Sequence, residues 1–190
     1  YAYGGSHKVS DNISLKTQAQ FRFFDVASDL QQLMLRAGAN YKLNNTFSAY
    51  LGYAYFSTDA TFDVDGGDVP EHRLVEDFNI NYKHAKFGIA HRFRFEQRFF
   101  TSNTSHWFRY QLGLNHPISE NLSAYIYDEV FLNLQGETYS QNWFGIGLKH
   151  KVSNTLKLQL GYHHISLNGG ANFSRVLAGF SISTNHTKKK

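Results

Sequence analysis

Charged residues recur at every second position within apolar stretches of this 190-residue chain. Side chains two residues apart share one face of a β-strand, so this spacing predicts strands with one charged face and one apolar face. Because a buried guanidinium needs a partner, we expect several arginines to share each acid, with water filling the remaining space. The charged face sets Lys16, Arg22, Arg36, Lys42, Arg73, Arg92, Arg94, Arg98, Arg109, Lys149, Lys157 and Arg175 against Asp77, Glu96 and Glu129.

If these strands close into a barrel, the charged face lines the lumen, and this lumen charge network has two interpretations. In the first, it is a charged plug that holds a small barrel together. In the second, its surplus of fixed positive charge raises the local concentration of anions and forms an anion-favouring pore or an internal anion site. Both interpretations stay open at this point, and ion conductance would separate them.

Two pairs of adjacent carboxylates, Glu76-Asp77 and Asp128-Glu129, break the alternation. In a regular strand one member of each pair must face outward, and an ionised carboxylate in hydrocarbon costs a few kcal/mol. We therefore expect Glu76 and Asp128 to lie at a β-bulge, near lipid headgroups or under a partner protein. A catalytic carboxylate pair is the alternative, but nothing in the sequence fixes a nucleophile or positions a water beside it.

Histidines supply the remaining chemistry. His163 and His164 are adjacent on one predicted strand, so they point to opposite faces and cannot bind one metal ion together. An interfacial or ion-paired role is favoured over metal binding, and we predict neither a metal site nor a cofactor. A hydrolase that uses His163 or His164 with Ser166 is the enzymatic alternative.

The segment Ser57 to Glu71 resembles a loose calcium site. It lacks the regular spacing and the terminal glutamate of an EF-hand, so a solvated loop is favoured. The residues that suggest the site are Asp59, Asp63, Asp65, Gly66, Gly67 and Asp68.

Alternating apolar and polar residues predict about ten strands between Ile13 and Ser183. Short turns at one end and longer loops at the other are typical of a transmembrane β-barrel, and we expect the short turns to be periplasmic. A soluble lipocalin-type barrel is the alternative, but tyrosines near strand ends of the apolar face favour the membrane barrel. The short turns carry Asn12, Asn45, Asn121 and Asn154, and the longer loops are predicted at Asp25 to Leu30, Ser57 to Glu71, Thr101 to Ser105, Gln135 to Ser140 and Asn168 to Ala171.

No linker divides the chain, so we predict one all-β domain over residues 1–190, an antiparallel up-and-down transmembrane β-barrel of about ten to twelve strands. Residues 1–12 form an extra strand or a non-spanning segment, and residues 184–190 form a tail. A start at Tyr1 without methionine fits a processed, exported protein. The net charge of +4 comes from basic residues spaced along strands, so we expect no nucleic-acid partner.

Several segments resemble the outer-membrane barrels of the family known as domain of unknown function 2490. These segments are Arg92 to Phe99, Trp107 to Tyr110, Tyr125 to Leu134, Gln141 to Leu148 and Leu160 to Tyr162. The resemblance covers nearly all of the chain and implies a barrel fold in a bacterial outer membrane. It implies no activity, substrate or catalytic residue.

The sequence therefore favours a non-enzymatic outer-membrane barrel that acts as a structural or adaptor subunit or as a narrow pore. A passive anion-favouring channel and an outer-membrane hydrolase are the alternatives. The expected partners are outer-membrane lipid, including lipopolysaccharide, and other outer-membrane proteins.

Overall fold

Eleven strands form a closed barrel in the computed structural model, which describes residues 1–59 and 67–187. The fold predicted from sequence, an all-β barrel of about ten to twelve strands, is confirmed. The strands are β1 Ala2–Lys8, β2 Ile13–Asp25, β3 Ser28–Lys42, β4 Phe47–Asp59, β5 Asp68–His84, β6 Phe87–Phe99, β7 Thr104–Pro117, β8 Leu122–Asn133, β9 Tyr139–Lys151, β10 Leu156–Leu167 and β11 Asn172–Asn185. No helix of the described residues is long and apolar enough to span a membrane.

The barrel closes through its first strand. Strand β1 pairs with β2 in antiparallel register and with β11 in parallel register, so Ala2 lies opposite both Gln20 and Gly179. An odd number of strands in a closed barrel requires one such parallel pair. Residues 2–8 thus form an eleventh strand of the barrel.

The tail predicted at 184–190 is wrong at its start. Thr184 and Asn185 belong to β11, because they pair with His7 and Lys8 of β1. The parallel partner strand therefore extends β11 to Asn185. Residues 188–190 lie outside the described part of the chain.

The four similar turns of the sequence are built in the same way. In each turn, one side chain accepts a hydrogen bond from the backbone N–H three residues later, which caps the hairpin. The acceptor and donor residues are Ser10 and Ile13, Asn44 and Phe47, Ser119 and Leu122, and Ser153 and Leu156. We call this end of the barrel the tight-turn end and the opposite end the loop end.

The connection between β2 and β3 is shorter than predicted. The sequence suggested a loop from Asp25 to Leu30, but only Val26 and Ala27 lie between the two strands. Ala27 and Asp29 adopt positive φ angles of 58° and 57°, which allows the reversal to be tight. The two ends of the barrel therefore differ less in connection length than the sequence indicated.

Side chains alternate between an apolar outer surface and a crowded interior. Leu51 and Leu160 point outward and are 56% and 60% exposed, whereas Ala54 and Val75 point inward and are each 1% exposed. Inward glycines make room for tyrosine rings on neighbouring strands. A Cβ added at Gly147, for example, would lie 2.7 Å from the Tyr125 hydroxyl oxygen. The interior is therefore filled by side chains over part of its height.

Candidate functional site in the barrel lumen

Glu96 is the centre of the lumen charge network. Its side chain is 2% exposed and accepts hydrogen bonds from three arginines of β5, β6 and β7. Arg109 Nη1 lies 2.6 Å from Oε1, while Arg98 Nη2 and Arg73 Nη1 lie 2.6 and 3.1 Å from Oε2. One carboxylate thus balances part of the charge of three guanidinium groups.

Two further carboxylates extend this network. Glu129 Oε1 accepts hydrogen bonds from Arg92 Nη2 at 2.7 Å and from Arg109 Nε at 2.9 Å. Asp77 binds Arg94 through both carboxylate oxygens, at 2.6 Å from Nε and 2.8 Å from Nη2. Bidentate pairs of this kind fix both partners in one orientation, which makes this side of the lumen rigid.

Glu71 is a fourth acid of the network, and sequence reasoning missed it. Strand β5 begins at Asp68, so Glu71 lies on the inward face rather than in a loop. Its two carboxylate oxygens lie 2.6 and 2.7 Å from Nε and Nη2 of Arg73. The two-residue spacing between Glu71 and Arg73 was the available signal, but the adjoining Pro70 and aspartates indicated a loop.

Aromatic rings cover the flat faces of the paired arginines. The guanidinium carbon of Arg73 lies 3.7 Å from the centre of the Phe56 ring. Arg98 and Arg109 stack in the same way on Trp107 and Phe131, at 4.0 and 3.9 Å. A guanidinium binds a ring through its face and a carboxylate through its edge, so each arginine makes both contacts at once.

Three other arginines face the lumen without an acid. Arg22 donates to Gln32 at 2.5 Å, Arg175 donates to Gln31 at 2.9 Å, and Arg36 donates to Gln18. Among the described residues, no carboxylate lies within ion-pairing distance of these three side chains. The expected sharing of one acid by several arginines is seen at Glu96 and Glu129, and these acids lie on β6 and β8, where nearer arginines bind them.

The four lysines predicted on the charged face are distributed along the lumen. Lys16 donates to Ser6 at 2.6 Å, and the Lys149 ammonium lies 4.7 Å from the centre of the Tyr125 ring. Lys42 and Lys157 are exposed near the tight-turn end. The lysines therefore add positive charge without taking part in the ion-paired network.

A cavity of about 950 Å³ lies between the ion-paired arginines and the unpaired ones. It reaches Val26 and Ala27 at the loop end and Lys149 deeper in the barrel. The lining includes Arg22, Arg36, Arg92, Arg94, Arg109, Glu129, Trp143, His163 and Arg175. Both sets of arginines thus border one space.

The two outward acids are not at β-bulges. Glu76 continues the regular register of β5 opposite Leu51 and Phe95. Asp128 lies opposite Leu112 and Phe144, also in regular register. The register shifts of the described barrel occur instead between Arg22 and Phe23 and between Phe131 and Leu132.

The surroundings of the two acids differ. Asp128 accepts a hydrogen bond of 2.9 Å from Asn142 on β9. Glu76 is exposed, and its four neighbours on the outer surface of β4, β5 and β6 are Leu51, Leu74, Phe78 and Phe95. A bulge is therefore ruled out for both, and a partner or the headgroup region stays a prediction.

The adjacent histidines face opposite sides of β10. His163 lines the cavity and lies edge-on to the Tyr127 ring, with the ring centres 5.5 Å apart. His164 pairs with Phe144 and Ser174 on the outer surface. In the described ranges, no cluster of three or more histidines and acids could hold a metal ion.

The proposed calcium-like segment is only partly described. Asp63, Asp65 and Gly66 lie outside the described residues. At the edge of the segment, Asp68 accepts a hydrogen bond of 2.5 Å from Ser57.

Two solved structures are similar to this barrel in fold. LpxR from Salmonella typhimurium is 9% identical, with a TM-score of 0.53, over 91% of this chain and 84% of LpxR. An anion-selective porin from Comamonas acidovorans is 14% identical, with a TM-score of 0.44, and the match covers 94% of this chain but only 53% of the porin. Both are outer-membrane β-barrels.

The sequence matches no curated protein. A family described as "Protein of unknown function (DUF2490)" matches residues 1–176. This match covers most of the chain and agrees with the resemblance seen in the sequence. The chain belongs to the DUF2490 family.

Proposed function

We propose that this protein is a non-enzymatic outer-membrane β-barrel with a narrow lumen that favours anions. The observation that carries the proposal is the imbalance of charge in the lumen. Among the described residues, the eight arginines are Arg22, Arg36, Arg73, Arg92, Arg94, Arg98, Arg109 and Arg175, and the four carboxylates are Glu71, Asp77, Glu96 and Glu129.

The outer surface supports a place in a membrane. One cluster of rings lies toward the tight-turn end and consists of Tyr82, His91 and Tyr110. In this cluster, His91 Nδ1 and the Tyr110 hydroxyl are 2.9 Å apart. Near the loop end, the His72 ring packs against those of Tyr53 and Tyr55. Amphipathic rings in two belts around an apolar band are the pattern of outer-membrane barrels. We place the tight-turn end in the periplasm.

The arginines without an acid give the lumen its preference for anions. A guanidinium stays protonated at any physiological pH, and within the described ranges Arg22, Arg36 and Arg175 donate hydrogen bonds to the uncharged side-chain amides of glutamines. Fixed positive charge in a narrow, weakly screened space attracts anions and repels cations. The paired arginines contribute less, because carboxylates neutralise them.

Planar-bilayer recording of the purified barrel under a potassium chloride gradient tests this proposal. We expect small channels whose reversal potential has the sign for chloride permeation. A reversal potential with the sign for potassium, or no conductance in bilayers where insertion is verified, would contradict it.

An adaptor role is the second candidate, and Glu76 supports it. This carboxylate lies on β5, four residues from His72 and six residues from Tyr82, and thus between the two aromatic belts. Hydrocarbon is an unfavourable environment for a carboxylate, so a partner protein with a hydrogen-bond donor would stabilise it there.

Affinity purification from native membranes tests the adaptor role, with Glu76→Gln and Leu51→Gln as paired variants. Recovery of the same partner by Glu76→Gln at the wild-type level would contradict an involvement of Glu76.

The absence of catalysis is part of the proposal. The enzymatic alternative uses His163 or His164 with Ser166, and the acid Asp128, on the same outer surface as His164, is bound to Asn142. We expect lipid and peptide substrates to remain intact. Hydrolysis that disappears in His163→Ala or His164→Ala would contradict this expectation.

A further inference from the structure

We propose that the loop-end part of the lumen is a binding site for an organic oxyanion, held by Arg22, Arg175, Trp143 and His163. The inference rests on the anion preference proposed above, and it adds the chemical class of the ligand. Binding requires no passage of ions, so the site and the pore are tested separately.

The four side chains converge from four strands of the barrel wall. His163 of β10 lies directly opposite Arg175 of β11, and both point into the lumen. Trp143 of β9 is opposite Ile165 of β10. Ile165 is two residues from His163, so Trp143 and His163 point to the same inward face. Arg22 of β2 reaches across the lumen, and its guanidinium carbon lies 5.1 Å from the centre of the Trp143 ring. The group therefore encloses one region of the cavity.

Several buried polar atoms in this region have no partner. Trp143 Nε1 and His163 Nε2 are shielded from bulk solvent and make no hydrogen bond within the described residues. Arg92 Nε, which borders the same cavity, is also unpartnered. A buried donor without an acceptor costs free energy, and a bound ligand that supplies the acceptor removes this cost.

The available groups select the chemistry of the ligand. Indole and guanidinium nitrogens only donate hydrogen bonds, and imidazole Nε2 donates in one neutral tautomer and when the ring is charged. Two of the groups, Arg22 and Arg175, carry positive charge that no carboxylate of the described chain balances. A set of donors with net positive charge binds an oxyanion, and the fork of an arginine fits a phosphate or a carboxylate.

Aromatic surface beside the donors indicates that the anion has an organic body. The Phe131 and Trp143 rings lie 5.0 Å apart, and the Tyr127 ring packs edge-on to His163. The site is part of a cavity of about 950 Å³, which exceeds the space that an inorganic ion needs and is in the range of small-molecule sites. A ring or short apolar chain attached to the oxyanion would cover these aromatic faces.

Fluorescence of Trp143 reports on the site directly. The chain has two tryptophans, so Trp107→Phe leaves Trp143 as the only tryptophan, which is excited selectively over tyrosine, and keeps a ring against Arg98. The folded Trp107→Phe barrel is titrated in detergent with cyclohexyl phosphate, cyclohexanecarboxylate, inorganic phosphate and, as the neutral probe, cyclohexanol. Arg22→Gln, Arg175→Gln and His163→Gln are added singly, and Lys157→Gln at the tight-turn end is the control for loss of one positive charge.

We expect a saturable change in emission with cyclohexyl phosphate or cyclohexanecarboxylate, weaker binding of inorganic phosphate and no response to cyclohexanol. The arginine variants should bind about tenfold more weakly, as expected for loss of a charged hydrogen bond, whereas Lys157→Gln should bind like the parent. A response to the phosphate alone or to the carboxylate alone would identify which oxyanion fits.

An equal response to cyclohexanol, or unchanged affinity in Arg22→Gln, Arg175→Gln and His163→Gln, would overturn the proposal. The proposal would also be overturned if none of the anions gave a saturable response. His163→Gln leaves both arginines in place, so it tests the site even where an arginine variant fails to fold. Anion binding without conductance would contradict the proposed pore but support the binding site. Anion-selective conductance without binding would support the pore but contradict the binding site.

Discussion

Arg109 joins Glu96 to Glu129 across the lumen wall, because its Nη1 lies 2.6 Å from Glu96 Oε1 while its Nη2 lies 2.8 Å from Glu129 Oε1. One guanidinium therefore links the acids of β6 and β8. In the part of the chain that the structure describes, the arginines on β2, β3 and β11 have no acid within ion-pairing distance. The position of the acids therefore explains both the ion-paired network and the arginines that have no acid.

Glu96→Gln should destabilise the barrel strongly. The substitution leaves Arg73, Arg98 and Arg109 buried with less negative charge nearby, and breaking a buried ion pair in this way costs about 3–5 kcal/mol. Urea unfolding of the detergent-solubilised barrel, followed by tryptophan fluorescence, measures the loss. Glu76→Gln on the outer surface is the matched control and should not lower the free energy of unfolding. Equal stability of both variants would show that the network does not hold the barrel together.

Gly147→Ala should also destabilise the barrel. The added Cβ would lie 2.7 Å from both the Tyr125 hydroxyl oxygen and the Cα of Gly161, so the neighbouring strand must shift, at a cost of about 1–3 kcal/mol. Gly88→Ala is the control, because its new Cβ would meet Asn115 at an ordinary 3.8 Å. The same unfolding measurement compares the two variants. If Gly88→Ala were the more harmful, the described packing of tyrosine against glycine would be wrong.

Ser153→Ala should weaken one of the four capped turns. The Ser153 hydroxyl accepts hydrogen bonds from the backbone N–H groups of Thr155 and Leu156 at 3.1 and 3.0 Å. Loss of the acceptor should lower the free energy of unfolding by about 1 kcal/mol. Ser153→Thr retains the hydroxyl and should restore most of this stability. A threonine variant as unstable as the alanine variant would argue against the cap.

Alternation in the sequence was enough to predict the fold and to identify the arginines around the cavity. The two-residue spacing of Arg92, Arg94, Glu96 and Arg98 places all four on one face of β6, whatever the neighbours of that strand are. The short turns were equally readable, because each contains its own capping side chain. Local patterns were therefore sufficient wherever one strand or one turn determines the structure.

The pairing of charges depends on neighbouring strands and could not be predicted in this way. Which arginine meets Glu129 depends on the register of β6, β7 and β8, and the isolation of Arg22 and Arg175 depends on where the barrel closes. Glu71 was missed because Pro70 and the aspartates before it resemble a loop. The bulges near Phe23 and Leu132 also have no clear signal in the sequence.

The preference of the lumen for anions is tested most directly by comparing the wild-type barrel with the triple variant Arg22→Gln, Arg36→Gln, Arg175→Gln in the same planar bilayers. This variant removes the charge of the three arginines without an acid, leaves the lumen lysines in place and keeps the ion-paired network intact. We predict a reversal potential with the sign for chloride in the wild type and a shift toward zero in the triple variant. The same reversal potential in both proteins would contradict the account.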